Sequence, residues 1–439
     1  MARIDPSWHV LIIGAGTGGL ALAHGLKQAG IRVSVFERDR AAKDHQGGFR
    51  VGISPAGSRA LRACVPPEVY ELFLATCARP PHYFNVLTEQ FDELVCLQIE
   101  GEAADSVHGE KNVVRKTLRD VLLIGLDDVV VFDKAFERYE RNGNGSLTAH
   151  FADGTKATGD ILIGADGTGS RVRKQRLPHA RHEDTGIVSL GGKLPMTAQS
   201  RALLSDKMFE GMSMIMAPKG FGAIIHSLEF GRRSANAALL ARWPDFFSTR
   251  YDDSIGWGLW GARQHLPSDM SAMDGESLKQ LALLLTLRWH PHMRKLIELT
   301  DPTTLQRINI RTSIPLSPWR SDNVTLLGDA IHTMTPGRGA GANTALRDAA
   351  LLCTTLIGAR DGATPLVEAI HAYEAEMLRY STEAVLESRK QMNAGDLIHK
   401  PILGRIQLAA MRSGMRVVNA VPPLKRRIME KIQRVRAAN

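Results

Sequence analysis

Val10–Ile13 is a short apolar run of strand type that leads directly into Gly14, Gly16 and Gly19, a G-x-G-x-x-G spacing. No other feature constrains the fold as tightly, because this turn works only between a buried strand and a helix whose first turn stays open. Gly14 permits the tight turn, Gly16 lets backbone approach a phosphate, and Gly19 lets the helix sit close to the sheet. The helix expected over roughly Gly18 to Ala29 presents its free N–H groups and positive dipole end to a pyrophosphate. Gly30 then stops it. A second strand, Arg32–Phe36, delivers Glu37 at the distance expected of an acid that bonds ribose hydroxyls. Arg38 follows and raises the question of a 2′-phosphate. Glu37 argues for an unphosphorylated ribose, since a carboxylate repels a phosphate.

Two later segments share this chemistry. Ile161–Arg173 (ILIGADGTGSRVR) has a buried-type strand that stops at Gly164-Ala165-Asp166-Gly167. Asp166 at the strand end can accept hydrogen bonds from a ribose or from local backbone, and Ser170 and Arg171 can cap and pair with phosphate. Val324–Asn343 (VTLLGDAIHTMTPGRGAGAN) ends its strand at Gly328-Asp329, with Asp329 placed for the ribityl hydroxyls of a flavin. Pro336, Gly337, Gly339, Gly341 and Ala342 then lead to a long helix beginning near Asn343. Its N-terminus would stabilise an anionic reduced isoalloxazine. Three such segments in this order point to a single long dinucleotide, FAD.

With 439 residues the chain is long for one core and suggests two or three domains. Hydrophobic content of 44% and charged content of 23% are those of a soluble globular protein. No apolar run reaches the roughly 18–20 residues that cross a bilayer. Asp5 and Pro6 ahead of the first apolar run argue against a cleaved signal peptide. Cys64, Cys77, Cys96 and Cys353 form no C-x-x-C pair, which fits free thiols in a reducing cytoplasm and weighs against a disulfide-type flavin reductase. No metal site is expected. From Lys400 to Asn439 the chain carries ten Lys and Arg against the single acid Glu430, so this tail holds the net charge of +9. The tail is expected as a solvated face on a docking helix, with weak membrane-surface contact as the alternative. Nothing resembles a nucleic-acid-binding module.

The chain alternates between nucleotide-type and other segments. The expected organisation is an α/β fold, with a Rossmann-type FAD-binding domain interrupted by a mixed β-sheet substrate domain and followed by a C-terminal helical region. Residues 1–80, 111–185 and 301–360 are assigned to the FAD-binding domain, 81–110 and 186–300 to the substrate domain, and 361–439 to the helical region with its basic tail. Within these, Lys111–Leu126 is expected as a helix, Val129–Phe132 as a strand, and Ala152-Asp153-Gly154 as a hairpin turn. Ser277–Arg288 and Pro365–Ala394 are expected as helices.

The set GAGTGG, ILIGADGTGSRVR and LLGDAIHTMTPGRGAGANTALRDAALL resembles the single-component flavin-dependent aromatic hydroxylases, the p-hydroxybenzoate hydroxylase-like family. The resemblance covers most of residues 10–390. It implies FAD as cofactor, NADPH or NADH as external reductant, O₂ as co-substrate and a flavin C4a-hydroperoxide that delivers oxygen to an electron-rich carbon. The implied substrate is a small aromatic or polycyclic molecule that is hydroxylated or epoxidised by a monomer or homodimer. Carried over by position, Gly14, Gly16, Gly19 and Glu37 match the ADP-binding turn and its acid. Arg115 matches an arginine at the start of a helix lying against FAD, and Arg50 matches a position near flavin and nicotinamide. Asp166 and Gly167 match the motif linked to FAD and NAD(P)H. Gly328, Asp329, Pro336, Gly339, Gly341, Ala342 and Asn343 match the flavin-end motif. Arg338 departs from it, adding a cation where many members carry glutamine or leucine.

A phenolic substrate reacts faster as phenolate, so a base would help. His45, His226 and His332 are the candidates, with packing the expected role of His332. Arg50 and His226 are the expected catalytic positions, and Met208, Met212, Met214 and Met216 could line a flat pocket. Two other readings stand beside a monooxygenase. A related flavin reductase or halogenase is one, although the W-x-W-x-I-P halogenase pattern is missing and Trp257 and Trp260 have the wrong spacing. A peripheral membrane-binding flavoprotein using the basic tail is the other.

Overall fold

The apolar runs around the glycine segments assemble into one five-stranded parallel sheet, in the spatial order Val324–Leu326, Ile161–Gly164, His9–Ile13, Arg32–Phe36, Val130–Val131. These are seen in a computed structural model that describes residues 8–42, 50–99, 109–230, 241–243, 253–390 and 392–438, with side chains described through 430. Val10 lies opposite Ile161, and Leu162 opposite Val324. Val10, Leu11, Ile12, Ile161, Leu162 and Ile163 are fully buried, as parallel strands covered on both faces require. All three glycine segments therefore leave the C-terminal ends of three adjacent strands, the edge where open α/β sheets bind ligands.

The Thr17–Gln28 helix follows the first strand, and the Gly341–Arg360 helix packs beside it. A further helix, Leu366–Arg389, sends Ile370, Tyr373 and Met377 into the same core. The C-terminal helical region is thus anchored on the dinucleotide-type core through this helix.

A seven-stranded mixed sheet forms the second layer, in the order Gln306–Ser313, His182–Pro195, Ser254–Ala262, Gly222–Leu228, Gly211–Met216, Tyr83–Thr88, Glu93–Gln98. Only the pairing of Gly211–Met216 with Tyr83–Thr88 is parallel. The strand Gln306–Ser313 belongs here through its antiparallel pairing with His182–Pro195, which moves the expected boundaries at 186 and 301.

The segment expected as a helix over Lys111–Leu126 is split. Lys111–Val114 is a strand, and the helix runs only over Arg115–Leu123. The β-branched pair Val113-Val114 finds a partner in Arg50–Ile53, and that long-range pairing overrides local helix propensity. The expected hairpin forms between Leu147–Phe151 and Lys156–Gly159. The Ser277–Arg288 helix is shifted to Gly275–Leu285, capped by the Asp274 carboxylate, which accepts from Ser277 N–H at 2.8 Å.

The tail forms two helices, Leu403–Ala420 and Pro422–Ala438. The first rests on the edge strand Glu93–Gln98, where Asn419 Oδ1 accepts from Cys96 N–H at 3.2 Å. Among the described residues no helix is long and apolar enough to cross a membrane.

Candidate functional site

The first glycine turn divides its labour as the spacing requires. Gly14 has φ of +107°, and a Cβ there would lie 2.4 Å from the Ala165 carbonyl oxygen. A Cβ on Gly19 would lie 2.3 Å from the Gly14 carbonyl oxygen, so both positions are closed by the protein itself. Gly16 is different. A Cβ there would meet nothing within 4 Å, and Gly16 is the uncapped N-terminal residue of the Thr17–Gln28 helix. The open space faces a helix N-terminus, the arrangement that holds a phosphate.

Glu37 sits at the end of the neighbouring strand, buried and held in one orientation. Its Oε2 accepts from Ala15 N–H at 2.8 Å and its Oε1 from Asp39 N–H at 3.0 Å. Arg119, itself buried, fixes the acid from the other side. Its Nη2 lies 3.4 Å from Glu37 and 3.2 Å from Asp39, and its Nε donates to the Ala15 carbonyl at 3.0 Å. Sequence reasoning singled out Arg115, which is exposed at the start of the same helix. Arg119 lies one helical turn further on, and nothing in RKTLRD distinguishes the two without the register of the helix on the sheet. Arg38 is exposed.

The two aspartates of the later segments part company. Asp166 is consumed by its own turn, with Oδ1 accepting from Ser170 Oγ at 2.5 Å and Oδ2 from Arg171 N–H at 2.7 Å and Val172 N–H at 3.3 Å. Burial raises its pKa against those hydrogen bonds. Gly167 beside it has φ of +73°. Asp329 makes no side-chain hydrogen bond or ion pair among the described residues, and a Cβ on Gly341 would stand 3.8 Å from its Oδ1. Gly341 opens a 20-residue helix whose N-terminus has no side-chain cap. An unpartnered carboxylate beside an uncapped helix end suits a polyhydroxylated ligand with an anionic or electron-poor ring. Pro336 and Gly339 shape the approach, and Gly339 is left-handed at φ of +62°.

Asn343 ties the first and third segments together. Its Oδ1 accepts from Ser54 N–H at 2.8 Å, and its Nδ2 donates to the carbonyls of Gly52 and Gly339 at 3.0 and 2.9 Å. Its amide is thus spent on protein, and Ala342 beside it is half-buried. Arg338 pairs with Glu387 at 3.2 Å, which disposes of the extra cation.

Behind Asp329 lies a network that the sequence did not disclose. Asp348 is fully buried, and its Oδ2 accepts from Gly328 N–H at 2.7 Å and pairs with His332 Nε2 at 2.6 Å. The Tyr380 hydroxyl donates to its Oδ1. Burial alone would lower the His332 pKa, but the Asp348 carboxylate outweighs it and the pKa stands raised. His332 is therefore held in place by a buried acid.

Arg50 lies on the strand next to Gly52 and reaches the other layer. It donates to Met212 Sδ at 3.3 Å and stands 4.0 Å from Glu110. Arg50, Asn112, Met212, His226 and Glu229 line one cleft between the Arg50–Ile53 strand and the mixed sheet. Two buried polar atoms here, Asn112 Oδ1 and His226 Nδ1, have no hydrogen-bond partner among the described residues. Burial, with Arg50 adding to it, pushes the His226 pKa down to about 3. His226 is therefore neutral at physiological pH in this setting, which weighs against a role as general base. Of the methionines, Met212 alone joins this cleft. Met208 is in the core, and Met214 and Met216 pack beside the tail helices. His45 lies outside the described residues.

The residues present fit FAD from end to end: open space at Gly16, an oriented Glu37, and an unpartnered Asp329 at a bare helix end. Comparisons with known proteins agree. The family described as FAD binding domain matches residues 7–53 and 278–388. A FAD-containing monooxygenase of Photorhabdus luminescens is similar in structure, with TM-score 0.77 and 32% identity, over 88% of this chain and 98% of that one. An enzyme of Klebsiella pneumoniae solved with FAD and uric acid shares the fold, with TM-score 0.76 and 23% identity, over 98% of this chain and 96% of that one. A dual O-methyltransferase/FAD-dependent monooxygenase of Cercospora beticola is 34% identical over 84% of this chain but only 44% of its own length. The chain thus spans less than half the length of that relative.

Proposed function

The chain belongs to the single-component FAD-dependent monooxygenases, and from that premise we propose that it oxygenates a small aromatic or polycyclic substrate with NAD(P)H and O₂. The balance is substrate, NAD(P)H, a proton and O₂ giving hydroxylated or epoxidised product, NAD(P)⁺ and water. When bound, FAD supplies the electron transfer and oxygen activation; the protein supplies orientation, charge and exclusion of water. Asp329 carries the reading, since among the described residues its carboxylate takes no side-chain hydrogen bond and it lies beside an uncapped helix N-terminus.

Each end of the site has a defined task. The Gly16 turn would hold pyrophosphate, and Glu37, oriented by Arg119, would bond the adenosine ribose. Asp329 would bond the ribityl chain, and the Gly341 helix end would favour negative charge on the reduced ring. Substrate occupies the cleft at Arg50, Asn112, Met212 and His226. There a neutral His226 Nδ1 and the Asn112 amide complete their hydrogen bonding on a polar group of the substrate, and Arg50 supplies positive charge. Four free, buried cysteines support a cytoplasmic setting.

The test is oxygen uptake by the yellow holoprotein, followed alongside NAD(P)H oxidation over a panel of phenols, quinones and indoles. Oxygen consumed in step with product supports the reading. Product formed without oxygen makes the protein a reductase, and a colourless protein that takes up no FAD overturns the cofactor assignment. With an active substrate, His226→Gln raises KM about tenfold or more, the scale of one buried hydrogen bond, while the pH profile keeps its shape. A lost acidic limb in that profile would restore His226 as a base.

A further inference from the structure

The outward face of the Leu403–Ala420 helix has a character that its packing does not explain. Its inner face is fully employed. Leu408 is buried, Met415 and Val418 pack against Val86, Leu94, Val95 and Leu97, and Arg412 bonds Glu89 and the Met216 carbonyl. The opposite face should be polar if water were its only neighbour. Instead it carries an apolar stripe at helical spacing: Leu403, Ile406, Ala410, Val417 and, at the turn, Val421. Ile406 is 63% exposed, Val417 56%, Leu403 51% and Val421 41%. Ile402, just before the helix, is 74% exposed.

Cations border this stripe. Arg405 and Arg416 lie along one side of it, and the exposed Arg426 and Arg427 follow in the next helix, close to Leu424. Among the described side chains of the tail, Lys400, Arg405, Arg416, Arg426 and Arg427 are exposed against the single exposed acid Glu430, so the surface that presents this face is positive. Exposed apolar side chains flanked by arginines, on a helix already docked by its other side, match an interfacial helix lying in the plane of a bilayer. A large exposed apolar patch is also the usual mark of a contact site on a soluble protein.

We propose that this face docks the enzyme on an anionic lipid surface, with Leu403, Ile406, Val417 and Val421 entering the headgroup boundary and the arginines pairing with lipid phosphate and carboxylate. The sign of the charge selects the partner. A second copy of the chain would present the same positive field and be repelled, whereas an anionic bilayer meets both the charge and the apolar stripe. The helix lies on the edge of the mixed sheet whose other strands line the Arg50–His226 cleft, so docking sets a fixed side of the enzyme against the membrane.

The experiment uses the full FAD-loaded chain sedimented with vesicles of equimolar phosphatidylcholine and phosphatidylserine, and with phosphatidylcholine alone. Binding is expected to the anionic vesicles only and to weaken with added salt. Each of Arg405→Gln and Arg416→Gln should lower partitioning about fivefold, the scale of one arginine at such a surface. The pair Ile406→Asp with Val417→Asp should abolish binding while flavin content and thermal stability stay unchanged, because both side chains are already in water. No sedimentation of wild type with anionic vesicles overturns the proposal. So does binding that heparin captures equally well and Ile406→Asp leaves intact, which would mean charge alone. Dimerisation lost in the aspartate pair, with no vesicle binding, assigns the stripe to a second copy and also overturns it.

Discussion

Gly16→Val separates cofactor binding from folding, because the structure gives Gly16 no structural reason to be glycine. Its backbone is extended, at φ of −83° and ψ of 179°, which a valine adopts without strain. A Cβ there touches nothing within 4 Å. The cost to the apoprotein is that of a poorer helix cap, about 1 kcal/mol or less. In the holoprotein the added side chain stands where phosphate oxygens must approach the first-turn N–H groups. Losing two such charge-assisted hydrogen bonds costs about 3–6 kcal/mol, or about a hundredfold to ten-thousandfold in FAD affinity. Gly19→Ala is the contrasting control. Its Cβ would lie 2.3 Å from the Gly14 carbonyl oxygen, so it damages the fold whether or not FAD is present. The assays are urea unfolding of both apoproteins and titration of FAD by fluorescence quenching. A Gly16→Val protein that binds FAD as wild type does would refute the placement of the pyrophosphate at this turn.

The remaining expectations concern the buried acids and histidines. Asp329→Ala should leave apoprotein stability within about 0.5 kcal/mol, as for a partnerless surface change, and weaken FAD binding at least tenfold by titration; Asp166→Ala should instead lower the unfolding midpoint, because three donors lose their acceptor. Asp348→Asn leaves one carbonyl oxygen to serve donors now shared between two carboxylate oxygens, and should cost about 3–5 kcal/mol in urea unfolding. An unchanged midpoint would show that the His332–Asp348–Tyr380 network contributes nothing. Burial lowers the His24 pKa to about 4, so below about pH 6.5 the unfolded chain takes up a proton that the folded chain refuses. Stability is then full above pH 6.5 and falls as the pH drops toward 4, by roughly 3 kcal/mol from this residue. His24→Gln should flatten that slope, and an equally steep profile in the variant would count against the assignment.

Much of the dinucleotide half was legible because its information is local. A strand, a glycine turn and a helix stand side by side in sequence, and glycines mark backbone that no side chain could share. Val10–Gly19, Ile161–Gly167 and Val324–Gly341 could each be read from their own residues. The strand Lys111–Val114 could not, because its partner Arg50–Ile53 lies some sixty residues away and the local pattern favours a helix. The same holds for Gln306–Ser313, which joins the mixed sheet through a distant strand. His226 was legible as a residue of the second layer, but its charge state depends on burial that only the packed sheets produce.

The residues that stayed hidden share a physical character, and it explains why sequence motifs outline a cofactor site better than they explain it. Arg119, Asp348 and Tyr380 each hold another part of the protein. Arg119 holds Glu37, and Asp348 holds the Gly328 N–H at the turn that presents Asp329. Such residues need no glycine and no fixed neighbour in sequence; they need only a donor or acceptor at the right height on a helix. Asn343 shows the converse. It sits in the motif of the flavin end, yet its side-chain hydrogen bonds go to Gly52, Ser54 and Gly339, so its side chain clamps the first segment against the third. A motif therefore marks where the chain must be shaped for a cofactor, and only the hydrogen-bond ledger of each side chain separates those that shape the site from those left free to touch what binds there. By that criterion we propose Asp329 and the Gly16 turn as the groups left to touch cofactor, and the Arg50–His226 cleft as the place left for substrate.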